Sequence, residues 1–146
     1  MAYTDGSCVD TGTDHAKAAW AYKITKPFER TNNGRVWGTQ SAPRGELSAA
    51  LKLLKETERY PNDVEIVTDC MMIVHGIANI RAMMDSDFAE IPNSDLWREI
   101  ARSITTTGRK VTARHVRAHT DRQDPDSLNN NVVDGLAKRA LGFPDI

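Results

Sequence analysis

The sequence predicts an α/β protein built on one mixed sheet, and three observations carry that reading. Short stretches of period-two alternation come first, amphipathic helical spacing then alternates with β-branched runs, and no repeat, low-complexity tract or Pro/Gly/Ser-rich linker interrupts the 146 residues. The resulting order is βββαβααβα: an antiparallel meander, then βα units whose crossovers bring the later strands parallel to the first.

Each element has its own warrant. A short first strand ends at Tyr3-Thr4-Asp5; "AAWAYKIT" follows with Trp20, Tyr22 and Ile24 alternating; "RVWGTQ", after the Asn32-Asn33-Gly34 turn signal, completes the meander. Ser41 and Pro43 open a helix in which Leu47, Ala50, Leu51 and Leu54 recur at helical spacing, with Pro61 beyond its end. "VEIVTD" reads as a buried strand and "MMIVHGIANI" as a helix, while "NSDLWREIARSI" repeats the helical spacing through Trp97, Ile100, Ala101 and Ile104. "KVTARHV" is the fifth strand, and Val133, Leu136, Ala137, Ala140 and Leu141 share one face of a closing helix.

Composition narrows the class. With 40% apolar and 27% charged residues, the chain is expected to bury one core, as a single domain over residues 1–146 and as a monomer. No apolar run approaches the ~20 residues of a membrane span, and "MAYTDGSC" has no leader character, so a soluble, intracellular chain, cytoplasmic or nuclear, with no membrane partner is expected. Cys8 and Cys70 are too few for a disulfide scaffold, and reduced thiols with ordinary packing are the expectation. Net charge is −1, but seven Lys/Arg fall between Arg98 and Arg122 against Glu99 and Asp121; on charge alone this is a solvated face.

Four carboxylates stand out. Asp5 and Asp69 fall at the ends of the first and fourth strands, Glu46 lies in the first turn of the first long helix, and Asp134 sits on the last helix. Any one alone reads as a cap or turn residue. If parallel strands one and four are neighbours, however, Asp5 and Asp69 stand side by side, and two anions so close and partly out of water call for cations. An all-oxygen donor set without a Cys/His cluster suits Mg²⁺, with Mn²⁺ as its substitute, and disfavours zinc. Two such ions ~4 Å apart activate a water and stabilise the leaving oxygen during in-line attack on a phosphodiester.

"YTDGSC", "APRGELSAALKLL", "VEIVTDC", "DLWREIA", "HVRAH" and "NNNVVDGLAKRA", in this order and over nearly the whole chain, resemble the motifs of type 1 ribonuclease H. The family includes free-standing enzymes and the ribonuclease H domains of reverse transcriptases, so the chain's origin is cellular, viral or a mobile element. The resemblance implies a ribonuclease H-like fold: a five-stranded mixed sheet, strands one to three antiparallel, strands four and five parallel to strand one, flanked by helices. It implies an endonuclease that hydrolyses the RNA strand of RNA–DNA hybrids, with two Mg²⁺ held by Asp5, Glu46, Asp69 and Asp134. A reverse transcriptase or other polymerase domain is an implied partner. The alternative is a catalytically inactive domain of the same fold that binds nucleic acid or a polymerase; the complete quartet favours the enzyme.

The resemblance also gives His119 a place in a mobile loop, releasing product or shuttling a proton, against the plain reading of an exposed loop histidine. Asn130 matches the family's N-x-x-x-D position, where the amide contacts nucleic acid; an N-cap is the competing reading. It shares a helical face with Asp134 near the helix start, with Asn129 or Asn131 as cap. Arg44 matches an arginine before the helix glutamate, and Gly6 and Ser7 would offer backbone N–H groups to RNA, whose 2′-hydroxyl distinguishes it from DNA. Gln40 and Ser41 are candidates for the same groove. His15, His75 and His115 receive no role.

Two departures from the family pattern matter. Where bacterial members carry a basic protrusion, "RAMMDSDFAEIP" holds Asp85, Asp87 and Glu90 with only Arg81, so hybrid binding is expected to be weaker and more salt-sensitive, compensated by Arg98 to Arg122 or by a partner domain. The loop "HTDRQDPDSLNN" is longer than in bacterial members, and its Asp121, Asp124 and Asp126 are expected to be solvated.

Overall fold

A computed structural model describes residues 1–60 and 62–143; the expected stop at Pro61 lies outside the described residues. Strands β1 (Ala2–Val9), β2 (Lys17–Ile24) and β3 (Arg30–Arg35) precede α1 (Ala42–Glu56) and β4 (Val64–Thr68). Helices α2 (Met71–Ala78), α3 (Ile80–Asp85) and α4 (Ser94–Thr107) follow, then β5 (Val111–His115) and α5 (Pro125–Ala140). The sheet order is β3-β2-β1-β4-β5, with β1, β2 and β3 antiparallel and both β4 and β5 running with β1. The expected five-stranded mixed sheet with flanking helices is therefore the fold.

Strand alternation divides the apolar residues between two cores. On one face Trp20, Tyr22, Leu47, Leu53, Leu54, Ile66, Trp97 and Ile100 pack α1 and α4 onto the sheet. On the other, Tyr3, Ala21, Val67, Val116, Val133 and Ala137 form a smaller cluster beneath α5. Both cysteines are free thiols, half-buried against the larger core. No helix among the described residues is long and apolar enough to cross a membrane.

Several boundaries differ from those expected, each for a local reason. β1 does not end at Asp5: it pairs with β2 as far as Val9↔Lys17, while its parallel pairing with β4 stops at Thr4↔Thr68. Asp5 thus marks the end of the parallel ladder, not of the strand. Asn32-Asn33-Gly34 is not a turn either but lies within β3, whose hairpin turn falls earlier, around a cis Lys26–Pro27 bond. Gly34 sits against the Trp20 ring, where a Cβ would come within 2.8 Å of Cζ2. Its lack of a side chain serves ring packing on the strand. Trp37 lies beyond the strand and is 91% exposed. The α2 helix stops at Asn79, and α3 begins after it as a separate short helix.

Helix starts shift in the same way. Ser41 caps α1 by accepting a hydrogen bond from the Arg44 N–H at 3.3 Å, so Glu46 is the fifth helical residue and lies beyond the first turn. The start of α5 moves further: Asp124 is its N-cap, its Oδ2 accepting from the Ser127 N–H at 3.1 Å, and Pro125 is the first helical residue. An Asp-Pro pair is a stronger helix opening than asparagine, because the carboxylate pairs with an orphan N–H and proline needs none. Asn129 and Asn131 are consequently interior helical residues, and the expected solvated acidic loop is in large part a capped helix start. Replacing Asp124 by Ala is expected to destabilise the protein through loss of the cap, read as a lower urea midpoint with an unchanged slope.

Candidate active site

The site is assembled where the parallel ladder ends. β1 and β4 are hydrogen-bonded neighbours in register through Thr4↔Thr68, which brings the next residues, Asp5 and Asp69, to the same edge. Glu46 arrives from α1 through an unusually close contact between two backbones. A Cβ on Gly6 would lie 2.4 Å from both Glu46 N and Gly45 C, and one on Gly45 would lie 2.8 Å from Ala19 O. Only glycines at both positions let the helix rest on the strand in this way. This explains the glycines of "TDGS" and "RGE" in packing terms.

Asp5, Glu46 and Asp69 each place a carboxylate oxygen in one group whose members all lie within 4.8 Å of one another. Asp5 is 3% exposed and Glu46 Oε2 is buried with no hydrogen-bond partner. Burial, and then the neighbouring charges of Glu46 and Asp69, push the Asp5 carboxyl well above the usual carboxylate range. Burial and Asp69 do the same to Glu46, while burial raises Asp69 and a hydrogen bond from Asn130 opposes the rise. The Gly6 N–H donates to Asp5 Oδ1 at 2.9 Å. Such a group binds protons or cations avidly because it cannot stay fully ionised alone.

Asp134 stands beside this triple rather than inside it. Its charge raises the proton affinity of Asp5, Glu46 and Asp69, yet its Oδ2 is paired with Lys138 Nζ at 3.0 Å, one helical turn on. Asn130, four residues before it, is 2% exposed, acts on Asp69 so as to favour its charged form, and leaves its Oδ1 buried without a partner. Asn130 is therefore an interior residue of the site and not a helix cap.

The remaining expected residues are distributed differently. His119 is exposed, with φ of 53°, in the segment before α5, and its charge reaches Asp69. His115, expected to have no role, acts on Asp69 in the same sense from the end of β5, where it pairs with Thr68. The signal was present in the parallel register, which sequence alone does not number. Ser7 is half-buried on β1 opposite Ala19. Arg44 does not face an open groove: its guanidinium forks onto Asp95 at 3.0 and 2.9 Å and also donates to Asn93 Oδ1 at 3.3 Å, tying α1 to α4. Gln40 is spent on the Val36 and Gly38 carbonyls and the Ala18 N–H.

The basic run is also largely consumed by the fold. Arg98 pairs with Asp87, Arg102 with Glu99, and Arg114 with Asp126 and Glu65. Arg109 is buried, donating to the Thr57 and Leu54 carbonyls. Of the seven cations, Lys110, Arg117 and Arg122 remain without a side-chain hydrogen bond or ion pair among the described residues. Of the run, only Arg109 is buried; Arg98 and Arg102 remain exposed and Arg114 half-exposed, but all three already face carboxylates.

Comparison with solved structures agrees with this architecture. The native prototype foamy virus protease–reverse transcriptase superposes with a TM-score of 0.77 at 19% identity, covering 99% of this chain and 21% of that one. This chain therefore spans about a fifth of that protein's length. The solution structure of the prototype foamy virus ribonuclease H domain gives a TM-score of 0.76 at 20% identity, covering 95% and 92% of the two chains. LC11 ribonuclease H1, solved with an RNA/DNA hybrid, gives 0.64 at 16% identity, covering 96% and 97%. No curated protein matches the chain in sequence. The ribonuclease H family model matches residues 1–142, essentially all of the chain in which the carboxylates, the two backbone-contact glycines and the parallel ladder are found, and the chain belongs to that family.

Proposed function

We propose that the chain is an endonuclease that hydrolyses the RNA strand of RNA–DNA hybrids with the aid of two divalent metal ions. The observation that carries this reading is the convergence of Asp5, Glu46 and Asp69 into one all-oxygen group with too much negative charge for its burial. The residues fit the ions: the donors are hard oxygens, and the orphaned Glu46 Oε2 lacks any partner within the protein. Asp5, Glu46 and Asp69 would hold one ion, and Asp134, released from Lys138, would complete the site for a second. Bound Mg²⁺ or Mn²⁺ supplies an activated water and neutralises charge on the phosphodiester.

The chain's own groups supply the rest. The buried Asn130 beside Asp69 favours that carboxylate's charged form, and the Gly6 N–H would hold Asp5 Oδ1 before any ion arrives. His119, exposed on the adjoining segment, would take up or deliver a proton at the departing oxygen. The solved relative with an RNA/DNA hybrid supports the substrate class, and the polymerase-linked relatives support a polymerase partner.

Incubation with labelled hybrid, duplex DNA and single-stranded RNA, under Mg²⁺, Mn²⁺ or EDTA, tests the proposal. Cleavage of the hybrid's RNA strand alone, abolished by EDTA and by Asp69→Asn in a folded protein, is expected. Binding without cleavage in either metal would identify the inactive domain instead. Four of the seven cations of the basic run are engaged within the fold, so affinity for the hybrid is expected to be low.

A further inference from the structure

One ion-pair network outside the carboxylate group connects the elements that build it. Arg114 of β5 forks onto Asp126 of α5, Nη1 to Oδ2 at 2.6 Å and Nη2 to Oδ1 at 3.0 Å. Tyr3 of β1 donates its hydroxyl to the same Asp126 Oδ1 at 2.5 Å, and Arg114 Nε reaches Glu65 Oε1 of β4 at 3.3 Å. Four elements, three strands and the last helix, meet through one carboxylate and one guanidinium. The tyrosine ring is 2% exposed, so the network is seated on the smaller core.

The sequence spacing gives this network a direction. Asp126, Asn130, Asp134 and Lys138 recur every four residues and so form one stripe along α5. Tyr3 and Asp5 are two apart on β1 and point to the same side of the sheet. The contact between Tyr3 and Asp126 therefore lies one step before the site on both elements, about 6 Å along the helix from Asn130. Arg114 and Asp126 also stand at the two ends of the segment that carries His119, and their pairing closes its base. Within that segment, Thr120 Oγ1 donates to Ser127 Oγ at 3.1 Å and the Val116 N–H to the Thr68 carbonyl at 2.9 Å, so its anchors lie at the base.

We infer that Arg114, Asp126 and Tyr3 form a positioning clamp that sets the rotation and height of α5, and with it Asn130, Asp134 and the loop of His119, against Asp5 and Asp69. The inference rests on the proposed nuclease reading for its effect on rate. None of the three residues touches the reacting atoms; each acts through the helix. A purely stabilising pair on a half-exposed surface would contribute little and would leave turnover unchanged. A clamp alters turnover because small displacements of reacting groups cost large factors in rate.

The test compares Asp126→Asn, which keeps shape and removes charge, and Arg114→Lys, which keeps charge and removes the fork. For Asp126→Asn, kcat on a labelled hybrid is expected to fall about tenfold or more with KM within about threefold, and amide exchange from residue 117 to residue 134 is expected to quicken. Arg114→Lys is expected to fall between this variant and the unmodified protein. Tyr3→Phe, which removes one hydrogen bond and retains the ring, serves if Asp126→Asn does not fold, with a smaller drop in kcat and the same exchange signature. Unchanged kcat accompanied only by a lower melting temperature would overturn the clamp. If the unmodified protein cleaves no hybrid, the nuclease reading fails separately, and exchange unaltered by the substitutions would still overturn the clamp.

Discussion

Replacing Asp5 by Asn is expected to abolish hybrid cleavage, by about a thousandfold or more, while making the metal-free protein harder to unfold. Both effects follow from one arrangement. Asp5 is nearly fully buried beside two other carboxylates, and burial and then charge raise its proton affinity in the folded state above its unfolded value near ~4. Below that value both states hold the proton and the substitution changes little. As pH rises from there toward the folded value, the unfolded chain has released its proton while the folded one retains it or is ionised at a cost. Stability therefore falls with pH, and Asn removes the loss. The gain is expected to be about 1 to 3 kcal/mol at neutral pH, growing from mildly acidic pH upward, in urea titrations without metal. Millimolar Mg²⁺ or Mn²⁺ is expected to close the gap by stabilising the unmodified protein, since an ion that binds only the folded state favours it. Equal stability of the two proteins across pH would contradict the electrostatic account.

A second large effect is expected from a single methyl group. Gly6→Ala places a Cβ within 2.4 Å of two backbone atoms of α1, and backbone cannot move aside as the end of a flexible side chain does. The helix must withdraw from the strand, carrying Glu46 away from Asp5. A loss of about 2 to 4 kcal/mol is expected from urea denaturation, with cleavage reduced by about a hundredfold or more even in the folded fraction. Gly135→Ala is the contrasting substitution: nothing lies within 4 Å of its Cβ position on α5, and a gain of up to about 1 kcal/mol is expected from helix propensity. Loss at one glycine and gain at the other separate close backbone approach from a general effect of replacing glycine.

The contrast between these glycines shows what the sequence could convey. Periodicity placed α1, α4, β4 and β5 close to their observed spans, because amphipathic spacing and β-branched runs are dictated by burial on one face. Crossover topology implied that β4 runs parallel to β1; their adjacency, and with it the nearness of Asp5 to Asp69, was a condition that the strand order meets. Local chemistry was harder to read. Asn32-Asn33-Gly34 carried a turn signal, but its glycine answers to the Trp20 ring lying across it, a contact made across two strands. The start of α5 was assigned too late because apolar spacing begins at Val133, whereas Asp124 and Pro125 had already set the cap.

The charged residues were the least legible. Arg44 read as a substrate contact and Arg114 as one member of the basic run, and their carboxylate partners lie 51 and 12 residues away in sequence. Nothing in the local pattern distinguishes an arginine that meets solvent from one that holds two helices together. Lys138 is the exception, since its partner Asp134 lies only four residues earlier on the same helical face. His115 became visible only once the β4–β5 register set it opposite Thr68, next to Asp69.

The most direct examination of the central claim is anomalous scattering from crystals of the unmodified protein grown with Mn²⁺. Density within ligand distance of Asp5, Glu46 and Asp69 is predicted, and it should vanish in Asp5→Asn crystals. Well-ordered crystals showing no manganese at those three oxygens, or showing it only elsewhere on the surface, would contradict the account.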